Sequence, residues 1–309
     1  MSFSFSIIVP YFNNSKTVDK TIKSIKNQNY ENFEVIFVDD GSAQSEFDYL
    51  EKATKKIKNK QVLKIAHSGL SSARNHGIKE SKNDYILFLD SDDEINENLL
   101  SKLNKFLIKN QDADVIRFFG QRINADGDIT EILDFPFCKN EQGEEVMKKV
   151  FTTDSDKVLG FVWLLAIKND FILNNDISFE EGVYHEDYLF FFKYMLLAQH
   201  FYTFDFIGYR YFQNPHGIIR RNDYELKRKK SFNMLSNSVY LIDYYKKISK
   251  NNSFKQVAEK YFSYCAYRKI KYLNKVDTKE FLNELKKNNI NYRKYVGFEN
   301  YGHSISKFL

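Results

Sequence analysis

The first 110 residues alternate short apolar runs with longer stretches of helical periodicity. The apolar runs predict strands at residues 6–10, 33–38, 62–65 and 85–89. The segments that follow them predict helices at residues 15–28, 45–58, 71–81 and 98–109. Alternation at this spacing is typical of right-handed βαβ units. The pattern therefore predicts an open α/β fold, with a mostly parallel central sheet flanked by helices.

The pattern becomes less regular after a further apolar run at residues 115–119. Residues 124–128 (NADGD) predict a turn, with a hairpin around it. Helical character returns at residues 141–151 and 186–198. Beyond residue 222 the chain is typical of two or three helices, interrupted at residues 250–253. We therefore predict a helical C-terminal extension over residues 222–309.

Polar residues follow each of the first four predicted strands, at residues 10–13 (PYFN), 39–42 (DDGS), 68–75 (SGLSSARN) and 90–93 (DSDD). Open parallel sheets bind ligands outside the carboxyl ends of their strands. These loops should line one edge of the sheet. We expect carboxylates, an arginine and small residues to converge there in one cleft.

The acidic loop at residues 90–93 holds three carboxylates, those of Asp90, Asp92 and Asp93, directly after a buried strand. Clustered like charges are unfavourable unless a cation offsets them. Mg²⁺ and Mn²⁺ bind carboxylate oxygens and keep positions open for substrate phosphates. The motif favours such a metal site, although Asp92 and Asp93 as caps of the next helix are an equal alternative on this motif alone.

Two further motifs carry a weaker signal when each is taken alone. Asp39 and Asp40 precede a glycine, as in a ligand site or in a turn with capping residues. Arg74 lies in the first turn of a predicted helix, where a guanidinium and free amide groups could bind a base or a phosphate. A surface arginine would show the same pattern.

Together and in this order, the four motifs resemble family 2 glycosyltransferases of the GT-A fold, over roughly residues 4–220. The resemblance implies a UDP-sugar donor and Mn²⁺ or Mg²⁺, with Asp92 as the direct metal ligand. It places Asp39 on the uracil ring with Arg74 close to it. The residues implied on the donor side are Pro10, Tyr11, Asp39, Asp40, Arg74, Asp90 and Ser91.

The same resemblance extends to residues 184–190 (YHEDYLF), which are similar to the acceptor-side segment of the family. It implies that Asp187 is the general base and that Glu186 contacts the acceptor. An inverting displacement needs one carboxylate to remove the acceptor proton. Trp163 is either an acceptor contact or a core residue. His216 is implied as a late ligand of the metal or the diphosphate.

These expectations combine into an inverting transfer of a hexose or N-acetylhexosamine from a UDP-sugar to a hydroxyl of a saccharide or lipid-linked saccharide. The setting would be bacterial surface-glycan or lipid-linked oligosaccharide assembly. Residues 1–110 would bind the nucleotide sugar, residues 111–221 the acceptor. The alternatives are a nucleotidyltransferase, which lacks support from a glycine-rich basic loop, and a non-catalytic saccharide-binding relic, which would not need buried carboxylates.

Charge is distributed unevenly about a net value of +5. Between Lys227 and Lys275, thirteen Lys and Arg face two Asp and Glu, a net charge of +11. This segment predicts either attachment to an anionic membrane surface or helices packed on the preceding domain. Nothing accompanies it that is typical of nucleic-acid binding. Two distant cysteines and the absence of a long apolar stretch predict a cytoplasmic protein, with peripheral attachment to the inner face of the membrane as an option.

Overall fold

The structure is a computed structural model that describes residues 2–152, 160–213 and 223–290. Its strands are β1 (Phe5–Tyr11), β2 (Phe33–Asp40), β3 (Lys60–Ile65), β4 (Tyr85–Phe88), β5 (Glu94–Ile95), β6 (Val115–Ile123), β7 (Ile129–Leu133), β8 (Leu165–Lys168) and β9 (Phe201–Phe212). Its α-helices are α1 (Val18–Lys26), α2 (Gln44–Thr54), α3 (Leu70–Glu80), α4 (Leu99–Lys109), α5 (Gly143–Thr152), α6 (Asn169–Asn174), α7 (Glu186–Leu197), α8 (Tyr224–Ile248), α9 (Asn252–Tyr267) and α10 (Lys275–Lys287).

The strands form one sheet in the order β3-β2-β1-β4-β8-β6-β9-β5, and β7 pairs with β6. The first four strands of this order, β3, β2, β1 and β4, are parallel to one another. Strand β8 lies antiparallel between β4 and β6, whereas β6 and β9 are parallel. The predicted α/β architecture and its helical C-terminal extension are confirmed. Sequence patterns missed β8, a four-residue run inside a longer apolar stretch, and β9, whose aromatic side chains do not alternate cleanly with polar ones.

Each face of the sheet carries its own hydrophobic core, because side chains of a strand alternate between the two faces. Ile7 and Val9 of β1 contribute to one core together with Ile22 of α1 and Leu103 of α4. Ile8, between them, belongs to the other core, which the helices α5, α7, α8 and α9 complete. Helices therefore cover both faces of the sheet, which leaves the loops at the ends of its strands as the place for a binding site.

The C-terminal helices pack on this second core through aromatic side chains. The Tyr261 ring of α9 stacks on Phe151 of α5, with centroids 4.2 Å apart. Phe262 contacts Phe192 of α7 edge-on at 4.8 Å. The apolar face of α9 is therefore occupied by intramolecular packing and cannot at the same time enter a bilayer. Within the described residues, no helix combines the length and the apolar content needed to span a membrane.

Helix α3 lies close to β1 because it carries a glycine at the point of contact. A Cβ atom on Gly77 would lie 2.3 Å from Cγ2 of Ile8, far inside van der Waals contact. Since Ile8 is fully buried, the added atom must displace the helix or the strand.

We therefore expect Gly77→Ala to lower the free energy of unfolding by about 1–3 kcal/mol, although alanine is the better helix former. Urea denaturation would measure the change. Lys79→Ala, an exposed position on the same helix, serves as the control and should change stability by less than about 0.5 kcal/mol. Equal stability of the two variants would show that α3 tolerates a wider spacing.

Candidate active site

A buried arginine joins the two halves of the predicted cleft. Arg74 of α3 is 3% exposed, and one terminal nitrogen lies 3.1 Å from Oδ1 of Asp90. Its other terminal nitrogen lies 3.2 Å from Oε1 of Glu186, 112 residues away in the sequence. The guanidinium also lies 5.2 Å from the ring centroid of Phe179. One side chain thus holds the end of β4 against the start of α7.

Electrostatics keep this guanidinium charged despite its burial. Burial acts to lower the pKa of Arg74, but the carboxylates of Asp90, Glu186 and Asp187 outweigh it, and the pKa is raised overall. Its Nε atom is buried and has no hydrogen-bond partner within the described residues. The placement favours a role in ordering the carboxylates. Contact of Arg74 with the donor remains a prediction.

Asp93 anchors the acidic loop to the far side of the sheet. Its Oδ2 accepts a hydrogen bond of 2.8 Å from the Tyr209 hydroxyl, and its Oδ1 accepts one of 2.8 Å from the Phe212 amide. The Tyr209 hydroxyl in turn accepts a hydrogen bond from the Asp90 amide at 3.2 Å. Asp93 is fully buried, and this burial raises its pKa, with repulsion from Asp92 and Asp90 adding to the effect.

Asp92 occupies a different environment from its neighbour. It is half-buried, and burial followed by repulsion from Asp90 raises its pKa to about 6, while Lys20 opposes the shift. Its carboxylate forms no ion pair with any residue that the structure describes. Neither Asp92 nor Asp93 caps α4, which starts after Asn98. The capping alternative for this motif is therefore wrong.

The acidic loop suits a metal that the substrate helps to coordinate. Across the described ranges, no three His, Cys, Asp or Glu side chains converge on a point that could hold a metal by themselves. Asp90 and Asp92 offer carboxylate oxygens at the edge of the cleft, and Mg²⁺ typically binds through one or two carboxylates plus phosphates and water. The Ser91 hydroxyl accepts a 2.9 Å hydrogen bond from Asn14, which fixes the loop. His216 lies outside the described residues.

The two aspartates at the end of β2 have separate environments. Both oxygens of Asp40 accept backbone hydrogen bonds, from the amides of Ser68 at 2.7 Å and Gly69 at 2.9 Å. Asp40 therefore orders the loop before α3. Asp39 is fully buried, and its Oδ2 accepts a 3.3 Å bond from the Ser42 amide, while its Oδ1 has no partner in the described part of the chain. Asp39 therefore keeps one carboxylate oxygen, Oδ1, that can accept a hydrogen bond from a ligand.

Two neighbouring aromatic residues at the end of β1, Tyr11 and Phe12, differ in their exposure. Pro10 and Tyr11 are buried, and Tyr11 is only 1% exposed, with its hydroxyl donating to Oε2 of Glu46 at 2.8 Å. Such a ring presents no face to a ligand. Phe12 is 46% exposed and stacks on His67, with ring centroids 4.4 Å apart. Sequence reasoning missed Phe12, because every position of β1 is buried and no alternation along the strand marks the exposed side chain that follows it.

Asp187 lies in the first turn of α7, beside the Arg74 network. It is half-buried, and its Oδ1 accepts a 2.8 Å hydrogen bond from the Tyr188 amide. Burial, followed by repulsion from Glu186, raises the pKa of Asp187, whereas Arg74 acts to lower it. A carboxylate with a raised pKa next to an open cleft suits a general base.

Trp163 lies behind the acidic loop. It is 6% exposed and stacks between Phe161 at 4.7 Å and Tyr209 at 4.3 Å. Tyr209 is the residue whose hydroxyl donates to Asp93, so the tryptophan supports that contact by packing. Trp163 is therefore mainly a core residue, as one of the two alternatives predicted, and its contact with an acceptor remains a prediction.

The model of the glycosyl transferase family 2 matches residues 6–161, just over half of the chain. The chain belongs to this family. A cholesterol galactosyltransferase of Borreliella burgdorferi is 28% identical over 202 residues, which are 63% of this chain and 56% of that protein. The chain thus matches little more than half the length of this curated relative. The family assignment argues against the nucleotidyltransferase alternative.

Solved structures confirm the GT-A fold of this family member. TarS residues 1–349 of S. aureus, in complex with UDP-GlcNAc, superposes with a TM-score of 0.61 at 20% identity and covers 94% of this chain and 92% of that one. A mannosyltransferase of Pyrobaculum calidifontis, in complex with GDP-Man and Mn²⁺, gives a TM-score of 0.57 at 12% identity, covering 96% and 83%. The C-terminal helices are thus part of a shared architecture.

The hydrogen bond from Tyr209 to Asp93 generates a stability prediction. Tyr209→Phe removes the hydroxyl that donates to Asp93 and accepts from the Asp90 amide. Buried polar groups left without partners cost about 1–3 kcal/mol, and we expect that loss in urea denaturation.

Tyr211→Phe is the matched control, because Tyr211 also belongs to β9 and also stacks on Trp163, at 5.5 Å. Its hydroxyl has no hydrogen bond within the described residues, and we expect a change under about 0.5 kcal/mol. If both variants were equally stable, the Tyr209 hydroxyl would have no structural role.

Proposed function

We propose that this glycosyltransferase is a metal-dependent, inverting enzyme that transfers a hexose or N-acetylhexosamine from a UDP-sugar to a hydroxyl of an acceptor saccharide. The observation that carries the proposal is the Arg74 bridge. It holds Asp90, of the acidic loop, and Glu186, next to the candidate base, in one cleft. A metal-bound leaving group and a base on the acceptor side are the two parts that an inverting transfer requires.

The nucleoside end of the cleft supports a UDP donor. The free Oδ1 of Asp39 can accept a hydrogen bond from the ring N–H of uracil, a group that cytosine lacks. The exposed Phe12, with His67 behind it, offers a face on which the base can stack. The TarS complexes with UDP-GlcNAc and with UDP are in line with this choice.

Asp90 and Asp92 would hold Mn²⁺ or Mg²⁺ together with the donor diphosphate. When bound, the ion supplies positive charge on the leaving side, where the nucleoside diphosphate departs. Asp93 and Ser91 keep the loop in place from behind. The raised pKa of Asp92 fits a ligand carboxylate whose charge Lys20 offsets only in part, because a bound metal ion would stabilise its charged form.

Asp187 would remove the proton from the acceptor hydroxyl as that oxygen attacks the sugar. Its raised pKa makes it a stronger base than an exposed aspartate. Glu186 cannot take this role while it is held by Arg74. The carboxylate of Glu186 would instead orient Arg74 and, through its second oxygen, an acceptor group.

The first prediction from this scheme concerns the metal. Exhaustive EDTA treatment should abolish release of UDP from the donor in the presence of acceptor, and added Mn²⁺ should restore it. Asp92→Asn should raise the Mn²⁺ concentration for half-maximal activity by at least about tenfold, the loss seen even when an outer-shell partner is removed. Asp126→Asn, in the exposed turn after β6, is the control. Full turnover in EDTA would contradict the metal role.

The second prediction concerns the base. Asp187→Asn should reduce kcat by about a hundredfold or more while UDP-sugar binding, measured by calorimetry, stays unchanged. Asp170→Asn, an exposed aspartate in the first turn of α6, is the matched control and should retain activity.

The pH dependence tests the same assignment. A base must be deprotonated to act, so kcat/KM of the wild type should fall as the pH decreases through the raised pKa of Asp187. The residual activity of Asp187→Asn should lack this limb. A variant that keeps both its rate and the acidic limb would place the base elsewhere.

A third prediction concerns location. We propose that the chain acts at the cytoplasmic face of a membrane, in surface-glycan or lipid-linked oligosaccharide assembly. A relative named for transfer to cholesterol supports an acceptor of lipid type. Since the apolar face of α9 is buried, attraction to the membrane must come from charge, with up to about 1 kcal/mol from each Lys or Arg near an anionic surface.

The chain should therefore co-sediment with anionic vesicles at low salt and dissociate near 1 M salt, where screening shortens to about 3 Å. Zwitterionic vesicles are the control and should not bind. Chain that stays in the supernatant with anionic vesicles at low salt would refute the membrane attachment.

A further inference from the structure

A stack of aromatic rings lies between the candidate base and the acidic loop. The Trp163 ring stacks on Phe161, with centroids 4.7 Å apart, and on Tyr211, with centroids 5.5 Å apart. We call these three residues the aromatic wall. Trp163 is buried, whereas Phe161 and Tyr211, at its two ends, are half-buried. The aromatic wall therefore keeps apolar surface at both ends that a ligand could cover.

The Phe161 end of the aromatic wall lies beside Asp187. Gly160, the residue before Phe161, has a φ of 97°, and a Cβ built on it would lie 3.6 Å from Oδ2 of Asp187. The 3₁₀ turn Val162–Leu164, which carries the tryptophan, contacts α7 as well as β4, β6 and β9. This end of the wall thus reaches the carboxylate proposed to act as the base.

The Tyr211 end lies beside the acidic loop. Tyr211 follows Tyr209 by two positions on β9, so both rings project from the same face of the strand. Trp163 stacks on both. The Tyr209 hydroxyl donates to Asp93 and accepts from the Asp90 amide. The aromatic wall therefore extends from the base to the loop proposed to hold the leaving group.

An ion pair continues this surface across the sheet. Arg122 of β6 is paired with Tyr211 of β9 on one side and with Glu131 of β7 on the other. Its Cζ lies 5.8 Å from the Tyr211 ring centroid, and its Nη1 lies 2.6 Å from Oε2 of Glu131. The two charged side chains are 27% and 30% exposed. Since β6 and β9 run parallel to β4, the row lies at the edge of the sheet where Asp90 follows β4.

This combination of side chains suits an uncharged sugar. The negative face of an aromatic ring attracts the C–H groups of a sugar ring. A guanidinium donates to hydroxyl oxygens, and a carboxylate accepts from hydroxyl groups. Nη2 of Arg122 and Oε1 of Glu131 have no hydrogen-bond partner in the described part of the chain. Because the two charges offset each other, an anionic sugar would gain little net attraction here.

We infer that the aromatic wall and the Arg122–Glu131 pair bind the uncharged saccharide end of the acceptor. This inference rests on the proposed function and deepens it, because it names the residues that recognise the acceptor and the charge of its terminal sugars. The sugar that carries the attacked hydroxyl packs on Phe161, beside Asp187. The ion pair then receives hydroxyl groups of the same saccharide.

The test uses the only tryptophan of the chain as its reporter. Trp163 lies inside the aromatic wall, so a sugar bound there should change its fluorescence. Wild type would be titrated with the methyl glycosides of lactose, cellobiose and N,N′-diacetylchitobiose, which end in three different neutral sugars. The same disaccharides with a terminal uronic acid supply the anionic probes. Each titration would be run with UDP and Mn²⁺ present, and again without them.

Two variants change the wall and the pair separately. Phe161→Leu removes the aromatic face and keeps an apolar side chain, with Phe137→Leu, an exposed phenylalanine, as its control. Arg122→Gln/Glu131→Gln removes both charges at once. Its control, Lys246→Gln/Glu259→Gln, removes an exposed ion pair of 3.1 Å between α8 and α9. Urea denaturation shows which variants are folded, and if one is not, the other decides.

We expect at least one neutral disaccharide to give a saturable change in wild type. Phe161→Leu should weaken its binding at least about threefold, and the double variant about tenfold or more. Both controls should stay within about twofold of wild type. The uronic acid probes should bind wild type more weakly than the neutral ones, and Glu131→Gln should reduce that preference, because it leaves the charge of Arg122 without its partner.

Three outcomes would overturn the inference. They are the absence of a saturable change with every neutral probe, equal binding by the variants and their controls, and equal affinity of wild type for the neutral and the anionic probes.

Kinetics separate the acceptor side from the donor side. With a UDP-sugar and the disaccharide that binds, Phe161→Leu should raise KM for the acceptor and leave KM for the donor within about twofold of wild type. A rise confined to the donor KM would contradict an acceptor site. If wild type released UDP from no UDP-sugar, the proposed function would fail, while the fluorescence titration would still decide whether the aromatic wall binds sugar.

Discussion

The site depends on how buried carboxylates are kept close together without destabilising the fold. Arg74 solves most of this problem, since its guanidinium lies between Asp90 and Glu186 and is itself buried. Removing one partner of a buried charge network commonly costs about 3–5 kcal/mol, because the remaining charge is left uncompensated. The same contact fixes the distance between the donor side and the acceptor side. Stability and the geometry of the cleft therefore share one interaction.

A second layer supports the acidic loop from behind. Tyr209 donates to Asp93 and accepts from the amide of Asp90, and Trp163 packs against the ring of Tyr209. Both aromatic residues come from the second half of the chain, whereas the loop belongs to the first. The antiparallel insertion of β8 between β4 and β6 places Trp163, which lies just before β8, and the pairing of β9 with β5 and β6 places Tyr209. The mixed half of the sheet thus holds the loop on which a metal would depend.

Neighbouring acidic residues acquire separate roles through their surroundings. Asp93 and Asp40 are satisfied by hydrogen bonds from the protein and are structural. Asp92 and Asp187 have raised pKa values because burial and neighbouring carboxylates are only partly offset by cations. Carboxylates of this second kind are the ones that a metal ion or a substrate proton would stabilise.

The sequence by itself determined the elements of the first half, the edge of the sheet where polar residues gather, and the family. These features are local, because strand and helix periods and the loops after strands are written in consecutive residues. It did not distinguish Asp39 from Asp40, or Tyr11 from Phe12. The two side chains of each pair are chemically alike and differ only in the side of the backbone from which they project, and therefore in their contacts. Only the tertiary structure decided that Arg74 bridges two carboxylates, and that Trp163 packs behind the loop. Their partners are distant in the chain, and the close approach of such partners results from sheet order and core packing, which no local pattern encodes.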